Sequence, residues 1–279
     1  TITDGTNEST QAITITVTNV NEAPVITSTS FTNIPEEQAT IGNLAVTDDA
    51  SDSISYAITG GADRLKFSVS GAALSFSANP NFEIPGDDGG NNVYEVEITA
   101  TDGGGLTDIE TVSVTVVNAN DAPVITTTSF TDIPEEQTTV GTLAATDADS
   151  GDSITFTITG GADRLKFSAG GIGGSTLAFN GFTPDFDSPG SVGSSNTYEV
   201  EITATDNGTG TLTDIQTITV VVTNTNDNTP AFTSANAFSV AEGIDAAATL
   251  TGEDDDGSIP TFSTTLTGTD SGDFALTTG

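Results

Sequence analysis

The chain has no cysteine, histidine, methionine or tryptophan, and only four basic residues against 40 acidic ones. Without cysteine there is no disulfide framework, and without histidine there is neither an imidazole ligand nor a histidine-activated nucleophile. Any metal ion bound must be held by oxygen. The formal net charge of −36 excludes electrostatic attraction to nucleic acid or to an anionic membrane, so a cationic partner is required instead. No apolar run approaches the length of a membrane span, and no membrane insertion is expected in this segment. High charge with modest hydrophobicity also marks disordered acidic chains, but the internal periodicity argues against disorder here.

Residues 128–147, TSFTDIPEEQTTVGTLAATD, restate residues 29–48, TSFTNIPEEQATIGNLAVTD. GGADRLKF recurs at 60–67 and 160–167, and YEVEITATD at 94–102 and 198–206. Related linkers close each unit as NVNEAP (19–24), NANDAP (118–123) and NTNDNTP (224–230). Self-similarity at this period marks a tandem array. The sequence therefore divides into residues 1–22, read as the last strand of a preceding repeat, two whole repeats at 23–122 and 123–229, and the first half of a third at 230–279.

Within a repeat the apolar period is two. Tyr94, Val96, Ile98 and Ala100 alternate with Glu95, Glu97, Thr99 and Thr101, and Val112, Val114 and Val116 with Thr111, Ser113 and Thr115, the pattern of half-buried strands. Ile54, Tyr56 and Ile58 behave alike. Seven such segments, near 25–31, 41–47, 53–59, 65–69, 73–77, 93–101 and 109–117, are separated by Gly, Asp, Asn and Pro turn signals. Seven short strands in a unit of this size predict an all-β fold of tandem seven-strand Greek-key, immunoglobulin-like sandwiches joined end to end. Gln11–Thr18, with Ile13, Ile15 and Val17 on one face, reads as a lone final strand whose apolar face needs a cover. Phe232, Phe238, Leu250 and Phe262 in the half repeat need partners too. The chain is expected to continue at both ends, with completion by another copy in a head-to-tail filament as the alternative.

Acidic residues recur at matched positions at strand ends and linkers. Glu36 and Glu135 follow Pro35 and Pro134. NFE (81–83) and DFD (185–187) precede the sixth strand, whose end carries Asp102 and Asp206. Asp147 and Asp149 form a DAD element, with looser counterparts in Asp48–Asp49 and Asp254–Asp256. These elements resemble those of cadherin repeats, in particular the bacterial cadherin-like repeats of large surface and secreted adhesins. PEE is similar to the family's PEN, NFE and DFD to its DRE or DYE, ATD to its AxD, and NTNDNTP to its DxNDNxP linker. The likeness covers essentially the whole chain.

The resemblance implies calcium between successive repeats, two or three ions per complete junction. One junction would use Glu36, Glu83, Asn120, Asp121, Asp147, Asp149 and Asp206. The next would use Glu135, Asp185, Asp187, Asn226, Asp227, Asp254 and Asp256, and an earlier one Asn21, Glu22, Asp48 and Asp102. Departures from the family pattern lie at Asn81, at Asn118 and Asn224, in the shortened NANDAP linker, and at Ala50, where the second Asp of DxD is expected. Independently of the family, calcium takes six to eight oxygen ligands in tolerant geometry, whereas magnesium resists dehydration. Two carboxylates about 4 Å apart repel by about 1 kcal/mol in bulk water and about 4 at an effective dielectric of 20. A rod that is stiff with calcium and jointed without it follows. Acids outside these sets read as solvated surface.

All four cations, Arg64, Lys66, Arg164 and Lys166, fall in the two GADRLKF copies, with Leu65 and Phe67 inward. Local pairing with Asp63, Asp163 or other surface acids is the expected role, and a docking point for acidic glycans the alternative. The sequence thus predicts a non-enzymatic, calcium-dependent adhesive or structural segment, extracellular or on the cell surface and expected to be bacterial. Neighbouring repeats, further copies of the same protein and surface glycans are its expected partners. A filament subunit, a calcium-dependent glycan-binding module and a calcium-independent spacer are the alternatives.

Overall fold

The computed structural model describes residues 1–49, 52–239, 241–242, 248–257, 259–262 and 275. They fall into two compact units, Thr1–Ala119 and Asn120–Gly279.

In the first unit the long alternating segments Val93–Thr101 and Thr107–Val117 pair antiparallel over nine consecutive residues. Ser55–Gly60 flanks them on one side and Ser30–Pro35 on the other, giving a four-stranded sheet. A three-stranded sheet of Thr40–Asn43, Ala73–Phe76 and Phe67–Ser70 supplies the opposite layer, and Val25–Ile26 pairs with Val46–Thr47. Tyr94, Val96, Ile98, Val112, Val114, Leu74 and Phe76 meet in one core. Phe67 stacks on Phe76 at 5.0 Å, and the edge of Tyr94 closes on both rings. Burying each such side chain contributes about 1.5–3 kcal/mol.

The second unit repeats this arrangement with Thr197–Thr205, Thr213–Thr223, Thr155–Gly160 and Ser129–Pro134 in one sheet, and Thr139–Thr142, Thr176–Phe179 and Phe167–Gly170 in the other. It also contains Ala231–Phe232 paired with Gly252–Glu253, the counterpart of Val25–Ile26 with Val46–Thr47. The chain is therefore an all-β set of Ig-like sandwiches. No helix among the described residues is long and apolar enough to cross a membrane.

Four sequence expectations are corrected. The segments near 25–31 and 41–47 are each two strands, because the chain switches partners midway. Val25–Ile26 joins Val46–Thr47, whereas Ser30–Pro35 runs parallel to Thr107–Val117. A bulge interrupts that parallel ladder, with Asn33 at φ 57° and its counterpart Asp132 at φ 60°. Asn and Asp are the non-glycine residues that most readily adopt this left-handed conformation.

The strand expected at 65–69 begins instead with a 3-10 turn, Arg64–Lys66. The turn breaks the alternation and leaves Leu65 and Leu165 each 83% exposed, while Phe67 and Phe167 are buried. Leu65→Ala should therefore shift stability by less than about 0.5 kcal/mol, against about 2–5 kcal/mol for the fully buried Leu74→Ala. Urea unfolding of the two variants checks this.

Gln11–Thr18 belongs to no strand, and Ile13, Ile15 and Val17 are exposed. A segment with no second strand beside it has no ladder to join. In the half repeat Phe232 and Phe262 find each other at 5.5 Å but remain exposed. Most of 263–279 lies outside the described residues.

Finally, several acids that read as solvated surface are structural. Asp63 and Asp163 are each 4% exposed. Asp63 accepts backbone N–H bonds from Asp88 (2.8 Å) and Glu95 (2.9 Å), and Asp163 from Val192 (2.7 Å) and Glu199 (3.0 Å). Asp108 and Asp214 each accept at 2.8 Å from the N–H of Ile26 and Ile125, fastening the first strand of each sandwich. A buried carboxylate is tolerated when such charge-assisted bonds replace its hydration.

Candidate metal centre

Pro134 ends a strand whose parallel partner, Thr213–Thr223, receives the N–H of Glu135 at the carbonyl of Thr223 (3.0 Å). This fixes the backbone just where the acid stands. The Glu135 side chain is 4% exposed and accepts from the N–H of Phe186 (2.7 Å) and of Thr225 (2.7 Å). Glu36 in the first unit accepts in the same way from Phe82 (2.7 Å) and Ala119 (2.9 Å). One carboxylate thus ties the DFD or NFE loop to the start of the linker.

Around Glu135 two overlapping acid groups form, Glu135 with Asp185 and Asp187, and Glu135 with Asp227 and Asp256, each with one oxygen per residue within 4.8 Å of the others. Asn228 joins them. Its N–H donates to Asp256 Oδ2 (2.8 Å), and its Nδ2 donates to Asp187 Oδ2 (2.5 Å) and Asp256 Oδ1 (3.3 Å). The Asp256 N–H in turn donates to Asp254 Oδ1 (3.1 Å). Desolvation, then the charges of Asp256, Glu135 and Asp185, raises the Asp187 carboxyl above the usual range. Desolvation and the charges of Glu135, Asp256, Glu136 and Asp185 do the same to Asp227. Asp256 is also desolvated, but hydrogen bonds from Asn228, together with those from Asp227 and Asp254, outweigh this and hold it low. Asn226 is exposed.

The DAD element is built alike. Asp149 donates its N–H to Asp147 Oδ1 (3.1 Å) and accepts from the N–H of Asp121 through Oδ2 (2.6 Å). Asn120 Nδ2 donates to Asp206 Oδ2 (2.9 Å), and Asp206 also accepts from the N–H of Gly208 (3.1 Å) and Leu212 (3.0 Å). Any side chain at Gly208 would collide with Asn120 and Asp152. Asp147, Asp149 and Asp152 bring one oxygen each within 4.8 Å of the others. Desolvation and the charges of Asp147, Asp149 and Asp206 raise the Asp152 carboxyl.

In the first unit Asn21 Nδ2 donates to Asp102 Oδ2 (2.8 Å), the N–H of Glu22 to Asp49 Oδ2 (3.1 Å), and Asp48, Asp49 and Asp52 cluster. Asp49 thus takes the second DxD position, correcting the expectation that the acid is lost there to Ala50, which lies outside the described residues. The segment is one residue shorter than in the second repeat, and the chain contracts by bringing the acids together as DD. Likewise Asn228, and not Asp227, is the counterpart of Asp121, since each donates its N–H to the second acid of its DxD pair. Sequence reasoning paired Asp48–Asp49 with the DAD element but left Asp49 out of the ligand set, and it missed Asp52, Asp152 and Asn228. Counting back from Pro230 as from Pro123 identifies Asn228.

The donor set suits a hard cation. It is all oxygen, and both carboxylate oxygens of Asp48, Asp147 Oδ2 and Asp152 Oδ2 are buried with no hydrogen-bond partner. Leaving charged oxygens so unpaired is costly. Calcium, which takes six to eight oxygens at about 2.3–2.6 Å, would relieve that cost.

The cations do not pair as expected with Asp63 and Asp163, whose oxygens accept from backbone N–H groups. Arg64, Lys66 and Arg164 are exposed, and Lys166 Nζ lies 4.4 Å from the centre of the Phe182 ring, a cation–π contact.

Residues 21–115 match the family model described as bacterial Ig domain. Among solved structures, protocadherin gamma B2 extracellular cadherin domains 3–6 share 22% identity at a TM-score of 0.48, over 83% of this chain and 55% of that one. The protocadherin gamma B4 extracellular domain shares 22% at 0.45, over 86% and 39%. Human protocadherin-24 EC1-2 shares 20% at 0.48, over 74% and 100%. The chain thus spans about half or less of the first two. This likeness assigns no ion, partner or activity to the chain. The protein is built of repeated all-β, Ig-like sandwiches, of which residues 21–115 match the family model described as bacterial Ig domain.

Proposed function

We propose that this chain is a calcium-stiffened segment of an extracellular adhesive or structural protein, with calcium held where one sandwich passes into the next. The observation that carries this reading is the approach of Glu135, Asp227 and Asp256 to within 4.8 Å. These acids come from the end of one sandwich, the following linker and the opening of the next repeat, and like charges brought together from three segments call for a cation. Glu135, Asp185, Asp187, Asp227 and Asp256 would hold the ion, with Asn228 and Asp254 orienting them. The same elements recur in the sequence at Glu36 and Glu83, and at Asn120, Asp121, Asp147, Asp149 and Asp206, so the reading extends to them. Asn21, Glu22, Asp48, Asp49 and Asp102 form a further set.

Bound calcium supplies positive charge that screens these acids from one another. The chain's own residues do the rest. Backbone N–H groups aim Glu135, the Asn228 amide holds Asp187 and Asp256 together, and the linker loses freedom once its acids share an ion. Without the ion their repulsion loosens the linker.

Equilibrium dialysis against calcium tests this, with two or three ions expected per complete junction and none if the acids are plain surface. Binding is also expected to weaken as pH falls. Because Asp187 and Asp227 have raised carboxyl pKa values, protons compete for them above the ordinary carboxylate range of about 4. Loss of affinity should therefore begin above that range.

A further inference from the structure

The strand Ser55–Gly60 has a sheet neighbour on one side only, as has its counterpart Thr155–Gly160. The two free edges are not treated alike. In the second repeat Gly170–Ser175 is longer than the matching Ser70–Ala72, and its 3-10 turn Ile172–Gly174 lies on the edge strand. A Cβ on Gly173 would stand 2.8 Å from the Ile154 carbonyl oxygen, and one on Gly174 would collide with that of Phe156. Glycine permits this close cover. The first repeat has no such insertion, and among the described residues no strand pairs with the outer side of its edge strand, SYAITG. It carries no charge and no proline, the usual devices that keep an edge from pairing.

We propose that this edge pairs antiparallel with the same edge of a second copy, merging two four-stranded sheets about a two-fold axis at Ala57. Parity and side-chain size together select this register. Tyr56 and Ile58 pack on the core side, whereas Ser55, Ala57 and Thr59 are exposed on the other. Faces match across a symmetric antiparallel pair only when a residue meets its own copy, and of these registers the one centred on Ala57 sets Tyr56 against Ile58 and Ser55 against Thr59, whereas centring on Tyr56 or Ile58 would set two tyrosines or two isoleucines against each other. An aromatic residue then faces a β-branched one, a favourable cross-strand pair, and the axis holds the small alanine. The large negative charge does not oppose this locally. The nearest acid on the outer face, Glu97, lies one strand inward and is bonded to Thr59 (2.9 Å). Two such glutamates would be about 14 Å apart across three strand spacings, beyond the Debye length of about 8 Å at physiological salt.

The chain has no cysteine, so single thiols report the register directly. Oxidised Ala57→Cys should give a covalent dimer, since directly opposed Cα atoms lie within disulfide range. Ser55→Cys alone should not, but mixed with Thr59→Cys it should. Thr157→Cys, on the covered edge, should remain monomeric. In sedimentation equilibrium the unmodified chain should dimerise reversibly, and Ala57→Lys, which places like charges opposite each other, should weaken dimerisation at least tenfold. Ala57 is exposed, so neither variant is expected to disturb the fold. A chain that stays monomeric at high concentration, or Ala57→Cys that crosslinks no faster than Thr157→Cys, overturns the proposal. Both assays are run with calcium and with chelator, so their outcome is separate from that of calcium binding.

Discussion

Glu135→Ala is expected to lower the melting temperature in chelator and to remove most of the rise that calcium produces. The side chain is buried and accepts from two backbone N–H groups at 2.7 Å. Its loss leaves both donors short of a partner, at about 1–3 kcal/mol each. It also takes away the one acid common to both groups in this junction. A site filled at a hundred times its Kd adds about 2.7 kcal/mol to the folded state, roughly 10 °C or more for a module of this size. Most of that gain should vanish. Glu135→Gln separates the two effects, because it keeps an acceptor for one N–H while removing the charge. Melting in chelator should be nearer to the unmodified protein, and the calcium-induced rise should still be reduced. Thermal unfolding monitored by circular dichroism, with and without calcium, reads both.

Asp63→Ala should cost about 3–5 kcal/mol irrespective of calcium. Both oxygens accept backbone N–H groups, from Asp88 and Glu95, while the carboxylate itself is buried. Charge-assisted bonds of this kind are worth about 1.5–3 kcal/mol each. Lys66→Ala, by contrast, should change stability by less than about 0.5 kcal/mol, because Lys66 is exposed and Asp63 is committed to the backbone. Equal losses for the two variants in urea unfolding would restore the ion-pair reading of GADRLKF.

The contrast between these acids shows what the sequence carried and what it did not. Strict alternation located Tyr94, Val96, Ile98, Val112 and Val114 in the core, because a half-buried strand writes its burial directly into every second residue. The parallel strand Ser30–Pro35 left no such mark. Its partner is Thr107–Val117, far along the chain, and its bulge at Asn33 spoils the period. Leu65 looked inward because a 3-10 turn of three residues is too short to register against the strand pattern. Asp63 and Asp108 read as ordinary surface acids, since their partners are backbone N–H groups that composition cannot reveal. Within the candidate site, the repeated acids at Glu135, Asp147, Asp149 and Asp206 were legible because repetition singles them out. Asp49 and Asn228 were hidden by one-residue length changes, in the DxD segment and in the linker, that shift the alignment.

Small-angle scattering of the intact chain, recorded in calcium and again in chelator, tests the central claim most directly. Calcium is expected to give a longer and less flexible particle, and chelator a shorter average dimension with the broad profile of modules moving about a loose linker. Superimposable curves in the two conditions would contradict the account, leaving the clustered acids as solvated surface and the chain as a spacer indifferent to calcium.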